Sequence, residues 1–159
     1  MRALILFSII LSLMLTCCNT NGEQEVIVVP KSFKGYIIII FNQKGGTPVK
    51  YEGKKRMYEI PRSGILKTQF NVNDGWREFA EYYYEKVMSE NKLPSFTELK
   101  KVPVDTIVGF MGASGTVKKS SEGEERLEFS EFYIGTKLDI EQTQEQVEKL
   151  DIIKLTESK

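Results

Sequence analysis

The sequence predicts a mainly β protein: a small antiparallel β-sandwich of about seven strands with a short C-terminal helix. Three observations predict it. β-Branched and aromatic runs alternate with turn residues along most of the chain. Gly35 to Phe41, Gly-Tyr-Ile-Ile-Ile-Ile-Phe, is almost wholly apolar, as expected of a strand covered on both faces. Only after Asp139 does the pattern turn clearly helical.

Val26 to Val29 is a β-branched run closed by Pro30 and reads as the first strand. Gly35 to Phe41 follows, with Ile37 to Phe41 expected near the middle of a sheet, and Gly45-Gly46 and Thr47-Pro48 supply its turn. Met57 to Ile60, Pro61-Arg62-Ser63-Gly64 and Ile65 to Phe70 read as strand, tight turn and strand, a hairpin with Gly64 free to take positive φ. Asp74-Gly75 tips the next turn. Trp76 to Met88 is ambiguous: Trp76, Phe79, Ala80, Tyr83 and Val87 have helical spacing, while Tyr82-Tyr83-Tyr84 favours a strand, placed over Glu78 to Glu85. Glu90 to Pro103 reads as a loop with one helical turn at Phe96 to Lys100. Val104 to Met111 and Arg126 to Ile134 look like a strand pair around a long polar loop, Gly112 to Glu125. Asp139 can cap a final helix in which Ile140, Val147 and Leu150 share a face. No internal repeat is visible.

The leader carries an address. Met1-Arg2, the apolar run Ala3 to Leu15 and then Thr16-Cys17-Cys18 have the order of a bacterial lipoprotein signal. The run is shorter than the roughly 20 apolar residues a membrane-spanning helix needs. Leucine three places before the acylated cysteine is the usual pattern, which favours Cys18, with Cys17 as the alternative. Residues 1–17 are thus expected to be signal peptide and 18–25 a polar tether, and 26–159 is expected to form one domain. Acyl chains contribute about 0.8 kcal/mol per buried methylene, so two or three make a durable anchor. The expected location is a bacterial cell envelope, at the outer membrane or cell surface rather than the inner membrane. An ordinary secretory signal is the competing reading.

Composition excludes several chemistries. The 22 basic and 22 acidic residues balance, which gives no electrostatic reason to bind nucleic acid. With no histidine in the chain, Ser-His-Asp and Cys-His catalysis and His-ligated zinc are absent. Both cysteines lie at the anchor, so the domain has neither a disulfide nor a thiol nucleophile. No cofactor and no metal is expected.

Once placed, these segments carry a resemblance. Val28-Val29-Pro30, Gly35 to Phe41, Tyr58-Glu59-Ile60-Pro61-Arg62-Ser63-Gly64-Ile65 and Phe132-Tyr133-Ile134-Gly135-Thr136 occur in that order. Residues 26 to about 138 resemble an uncharacterised domain of unknown function found in bacterial lipoproteins. The resemblance implies a β-rich exported domain and assigns no catalytic residue.

The remaining constellations favour plain structure. Gly109, Gly112 and Gly115 before Lys118-Lys119 lack P-loop spacing and read as a hairpin loop. Asn71-Val72-Asn73-Asp74-Gly75 opens like a calcium loop, yet Trp76 stands where an EF-hand needs glycine. Ser114 has no base to activate it. Trp76, Phe79, Tyr82, Tyr83 and Tyr84 form the densest aromatic cluster, and strand alternation puts Tyr82 and Tyr84 on one face. Trp76, Tyr82 and Tyr84 are therefore the candidate binding residues, with no catalytic residue named. The expected function is a non-enzymatic envelope module, held to the membrane by its lipid, that binds an envelope protein or a glycan. The alternatives are a carboxylate-dependent envelope hydrolase, needing two close acids in a concave pocket, and a structural or assembly lipoprotein presenting a flat apolar patch.

Overall fold

In the computed structural model, which describes residues 21–101, 103–120 and 124–157, the chain forms two mixed β-sheets stacked on each other, with two helices behind the second. The first sheet takes β1 (Glu25–Val29), β3 (Tyr51–Glu52), β4 (Lys55–Glu59), β6 (Glu81–Tyr84) and β7 (Lys92–Leu93), in the order β3-β4-β1-β6-β7. The second takes β2 (Gly35–Ile40), β5 (Ile65–Lys67), β8 (Val108–Lys118) and β9 (Arg126–Gly135), in the order β5-β2-β9-β8. Helices α1 (Lys137–Val147) and α2 (Ile152–Glu157) follow.

The unbroken apolar run of β2 behaves as its composition demands. Ile37, Ile38, Ile39 and Ile40 are all fully buried. Alternation sends Ile37 and Ile39 into the inter-sheet core with Ile27, Val29, Tyr58, Tyr82 and Phe132. Ile38 and Ile40 face the other way and pack with Ile140, Val147 and Ile152 of the helices. Removing one such side chain to alanine typically costs about 2–5 kcal/mol.

The mainly β class holds, but the pairing is mixed rather than wholly antiparallel. β1 runs parallel to both β4 and β6, and β2 runs parallel to β5. The expected hairpin around Pro61 to Gly64 is absent, since β4 and β5 belong to different sheets. Its turn exists as predicted, with Gly64 at φ +77 and its N–H donating to Pro61 O at 2.9 Å, but it carries the chain from one sheet to the other. The link from β1 to β2 makes the same crossing, with Phe33 N–H donating to Pro30 O at 3.0 Å. The two arches lie side by side because β4 pairs with β1 and β5 with β2. Val29-Pro30-Lys31-Ser32 and Ile60-Pro61-Arg62-Ser63 open them with the same chemistry, so the two arches repeat one local device despite the absence of a longer sequence repeat.

The polar loop expected from Gly112 to Glu125 is strand as far as Lys118. Its small residues are required by the neighbouring strand: a Cβ on Gly112 would lie 2.5 Å from the Tyr133 ring, and one on Gly115 2.8 Å from Phe129. A register shift between Met111 and Ser114 absorbs the irregularity. The helical turn expected at Phe96 to Lys100 is the 3₁₀ segment Phe96–Lys101. At α1 the N-cap is Thr136 rather than Asp139, which sits at the third helical position and completes a capping box: Thr136 N–H donates to Asp139 Oδ2 at 2.9 Å, and Asp139 N–H to Thr136 Oγ1 at 3.2 Å. Ile140 and Val147 share the buried face as predicted.

Candidate functional site

The aromatic cluster is divided by the sheet it sits on. Tyr82 is 1% exposed, in the inter-sheet core, edge-on to Phe132 at 6.4 Å between ring centres. Tyr84 packs half-buried against the same core and donates to Phe33 O at 3.2 Å. Tyr83 points to the outer face with Val26, Val28 and Met57, where Lys92 Nζ stands 5.9 Å above its ring. Within the cluster, Trp76, 75% exposed, and Phe79, 62% exposed, are the rings turned largely to solvent. Trp76, Tyr82 and Tyr84 therefore do not make one surface, because period-two alternation turns Tyr82 and Tyr84 inward and the sheet is covered there.

Behind Trp76 lies a buried polar network centred on Glu25. Its carboxylate accepts from Arg77 Nε at 2.9 Å, Asn73 Nδ2 at 2.8 Å and Tyr58 Oη at 3.3 Å. Asn73 also clasps the backbone of Glu23, accepting from its N–H at 2.9 Å and donating to its C=O at 2.8 Å. Arg56 reaches Glu23 Oε2 at 2.5 Å while lying 4.9 Å above the Phe70 ring. Burial, helped by the Glu25 charge, pushes the Tyr58 and Tyr82 hydroxyls far above the usual tyrosine range. Asn21, Gly22 and Glu23, expected in the tether, thus belong to the folded body, since their partners are Trp76, Asn73 and Arg56. The turn that resembled a calcium loop spends its Asn73 side chain on this network.

A wide cleft lies elsewhere. A hollow of about 610 Å³ is lined by Phe96, Thr97, Lys100, Val104 and Lys137. A second of about 450 Å³ shares Val104 and Lys137 and adds Asp105, Thr136, Leu138 and Glu141. The floor is positioned by an aromatic stack: Phe96 lies 4.6 Å from Phe110, which lies 6.1 Å from Tyr133. The capping box sets the start of α1, which brings Lys137 and Leu138 to the rim. Val104 is 82% exposed and Leu138 62% exposed, an apolar pair beside two ammonium groups. Nothing in the sequence marks these residues as a site: Val104 reads there as the first residue of a strand that in the structure begins only at Val108, and Leu138 lies between Lys137 and Asp139.

A third hollow, about 510 Å³, is lined by Phe110, Gly112, Ala113, Glu131, Tyr133, Gln144, Val147 and Glu148. Tyr133 donates to Glu131 Oε2 at 3.3 Å. Burial and then Glu131, with Glu148 adding a smaller push, raise its hydroxyl to about 12. Ser114 bonds Ser130 across the strands at 2.8 Å rather than any base. Among the described residues no group of three or more Asp, Glu, Cys or His is placed to hold a metal, and no helix is long and apolar enough to cross a membrane. Cys17 and Cys18 lie outside the described residues.

The fold and its clefts thus define a mainly β, two-sheet domain backed by helices, with apolar surface hollows. The chain belongs to a family described as "Family of unknown function (DUF6843)", whose model matches residues 21–146. A comparison with curated proteins finds no match. Among solved structures, the fold is similar to the 2.75 Å crystal structure of a presumed lipoprotein from Bacillus anthracis, with a TM-score of 0.51 and 14% identity over 70% of this chain and 69% of that one.

Proposed function

We propose that this protein is a lipid-anchored module of a bacterial cell envelope, held at Cys18, with Cys17 as the alternative, and displayed at the outer membrane or cell surface. Its domain binds rather than catalyses. The observation that carries this reading is the apolar cleft of Phe96, Val104 and Leu138, whose rim sets Lys100 and Lys137 beside Asp105 and Glu141 and so suits a segment of an envelope protein bearing apolar side chains flanked by charges of both signs. The leader and the likeness to a presumed lipoprotein support the location. A photocrosslinker at Val104 in living cells is expected to give a discrete adduct that Lys100→Glu and Leu138→Asp abolish. An adduct pattern indifferent to both changes would remove the cleft from consideration. Palmitate incorporation in the native chain, lost in Cys18→Ala and kept in Cys17→Ala, tests the anchor.

One observation favours a second reading, an envelope hydrolase: Glu131 and Glu148 line one hollow and both act on Tyr133. Glycan release from purified cell wall that disappears in Glu131→Gln and in Glu148→Gln would establish it, and no release by the native protein would end it.

A further inference from the structure

We propose that Trp76 and Phe79 form a membrane-contacting edge that seats in the headgroup layer of the bilayer carrying the lipid anchor; this rests on acylation at Cys18. Asn21 pairs with Trp76, and Gly22 N–H donates to Trp76 O at 3.0 Å. Asn21 is three residue steps beyond Cys18, and a fully extended chain gains at most about 3.3–3.6 Å per residue, so the Trp76 backbone stays within about 15 Å of the acylated cysteine. The two headgroup layers together add roughly 10–15 Å to a hydrocarbon core of about 30 Å, so this reach keeps Trp76 at the headgroup layer or just outside it. The residues held there suit such a place. Trp76 is 75% exposed, Phe79 62% and Tyr51 46%, with the Tyr51 hydroxyl 3.5 Å from Glu23 Oε2 on the same edge. Indole and phenol rings, apolar with one polar atom, favour the water–hydrocarbon boundary.

Two of the charges around the edge are neutralised, Arg56 pairing with Glu23 and Arg77 with Glu25, while Glu78, which accepts from Gln24, keeps its negative charge and has to stay on the wet side of the headgroup layer. Asp74, two residues before Trp76 in the turn, is exposed as well, so the edge itself offers anionic lipid no attraction and the contact is expected on a neutral bilayer. Anchor and edge together would hold the domain in one orientation, its first sheet's Asn21 end down.

Trp76 is the chain's single tryptophan, so its fluorescence reports the contact directly. The acylated full-length product is reconstituted in phosphatidylcholine vesicles and checked by flotation and palmitate label. The expected result is a blue shift of the emission, loss of iodide quenching and gain of quenching by shallowly brominated lipid, all reversed towards the values of the unacylated Cys18→Ala chain by Phe79→Asp. Flotation with emission and iodide quenching equal to those of the Cys18→Ala chain overturns the edge while leaving the anchor standing. Absence of both flotation and label overturns the anchor reading and the edge with it.

Discussion

Arg77 Nε stands 2.9 Å from Glu25 Oε2, at a carboxylate whose side chain is only 2% exposed. This pair joins the first strand to the turn that bears Trp76. Removing one partner strands a charge away from water, so Arg77→Met is expected to cost about 3–5 kcal/mol in urea unfolding. Glu25→Gln combined with Arg77→Met should recover part of that loss, because the remaining amide carries no charge. Equal stability of Arg77→Met and the native chain would show that the network contributes nothing.

Tyr82 presents two opposite sensitivities. Its hydroxyl is buried with no hydrogen-bond partner among the described residues, so Tyr82→Phe is expected to leave stability unchanged or raise it by about 1 kcal/mol. Its ring lies over Gly109, where an added Cβ would come 2.1 Å from Cγ. Gly109→Ala should therefore cost about 1–3 kcal/mol through overpacking. Thermal melts of the two variants should move in opposite directions or, for Tyr82→Phe, not at all.

The second arch depends on one backbone position. Gly64 has φ +77, and a Cβ there would lie 2.4 Å from the Tyr36 carbonyl oxygen. Conformational strain and the clash with fixed backbone add, so Gly64→Ala should lose at least about 2 kcal/mol. Gly53, at φ +61 with nothing near its Cβ position, is the control. Gly53→Asn should stay within about 0.5 kcal/mol of the native chain in the same melts, since asparagine tolerates this region.

Alkali should unfold the protein through its tyrosines. Tyr133 is raised from 10.0 to about 12, by burial first and then by Glu131, and burial raises Tyr58 and Tyr82 further still. The folded chain holds these protons more tightly than the unfolded one. Stability is therefore complete below pH 10.0 and falls as pH rises through about 12. Tyrosinate absorbance should show part of the seven tyrosines titrating only together with loss of the circular dichroism signal. A smooth titration of all of them in the folded chain would contradict this.

Acid should act at the capping box. The Thr136 backbone N–H, then its side chain and Lys34, hold the Asp139 carboxyl below its ordinary 3.8. A lowered folded value means that this contribution is present above pH 3.8 and is lost as pH falls through the folded value. Thr136→Ala should cost about 1 kcal/mol at neutral pH. The variant should also show a weaker acid dependence of helical signal than the native chain.

The sequence by itself determined the mainly β class, the central burial of Ile37 to Ile40, the turn at Pro61 to Gly64 and the buried face of the last long helix. Each is a local matter of side-chain periodicity or of a residue's own backbone freedom. The tertiary structure alone decided that this turn is an arch between sheets, that Gly112 to Lys118 is strand, and that Tyr82 and Tyr84 turn inward while Trp76 and Phe79 stay out. The cleft at Val104 and Leu138 was equally out of reach, since its walls lie more than thirty residues apart in the chain. Partner strands and opposing rings are supplied by distant segments, and a two-residue period is the same whichever sheet receives it.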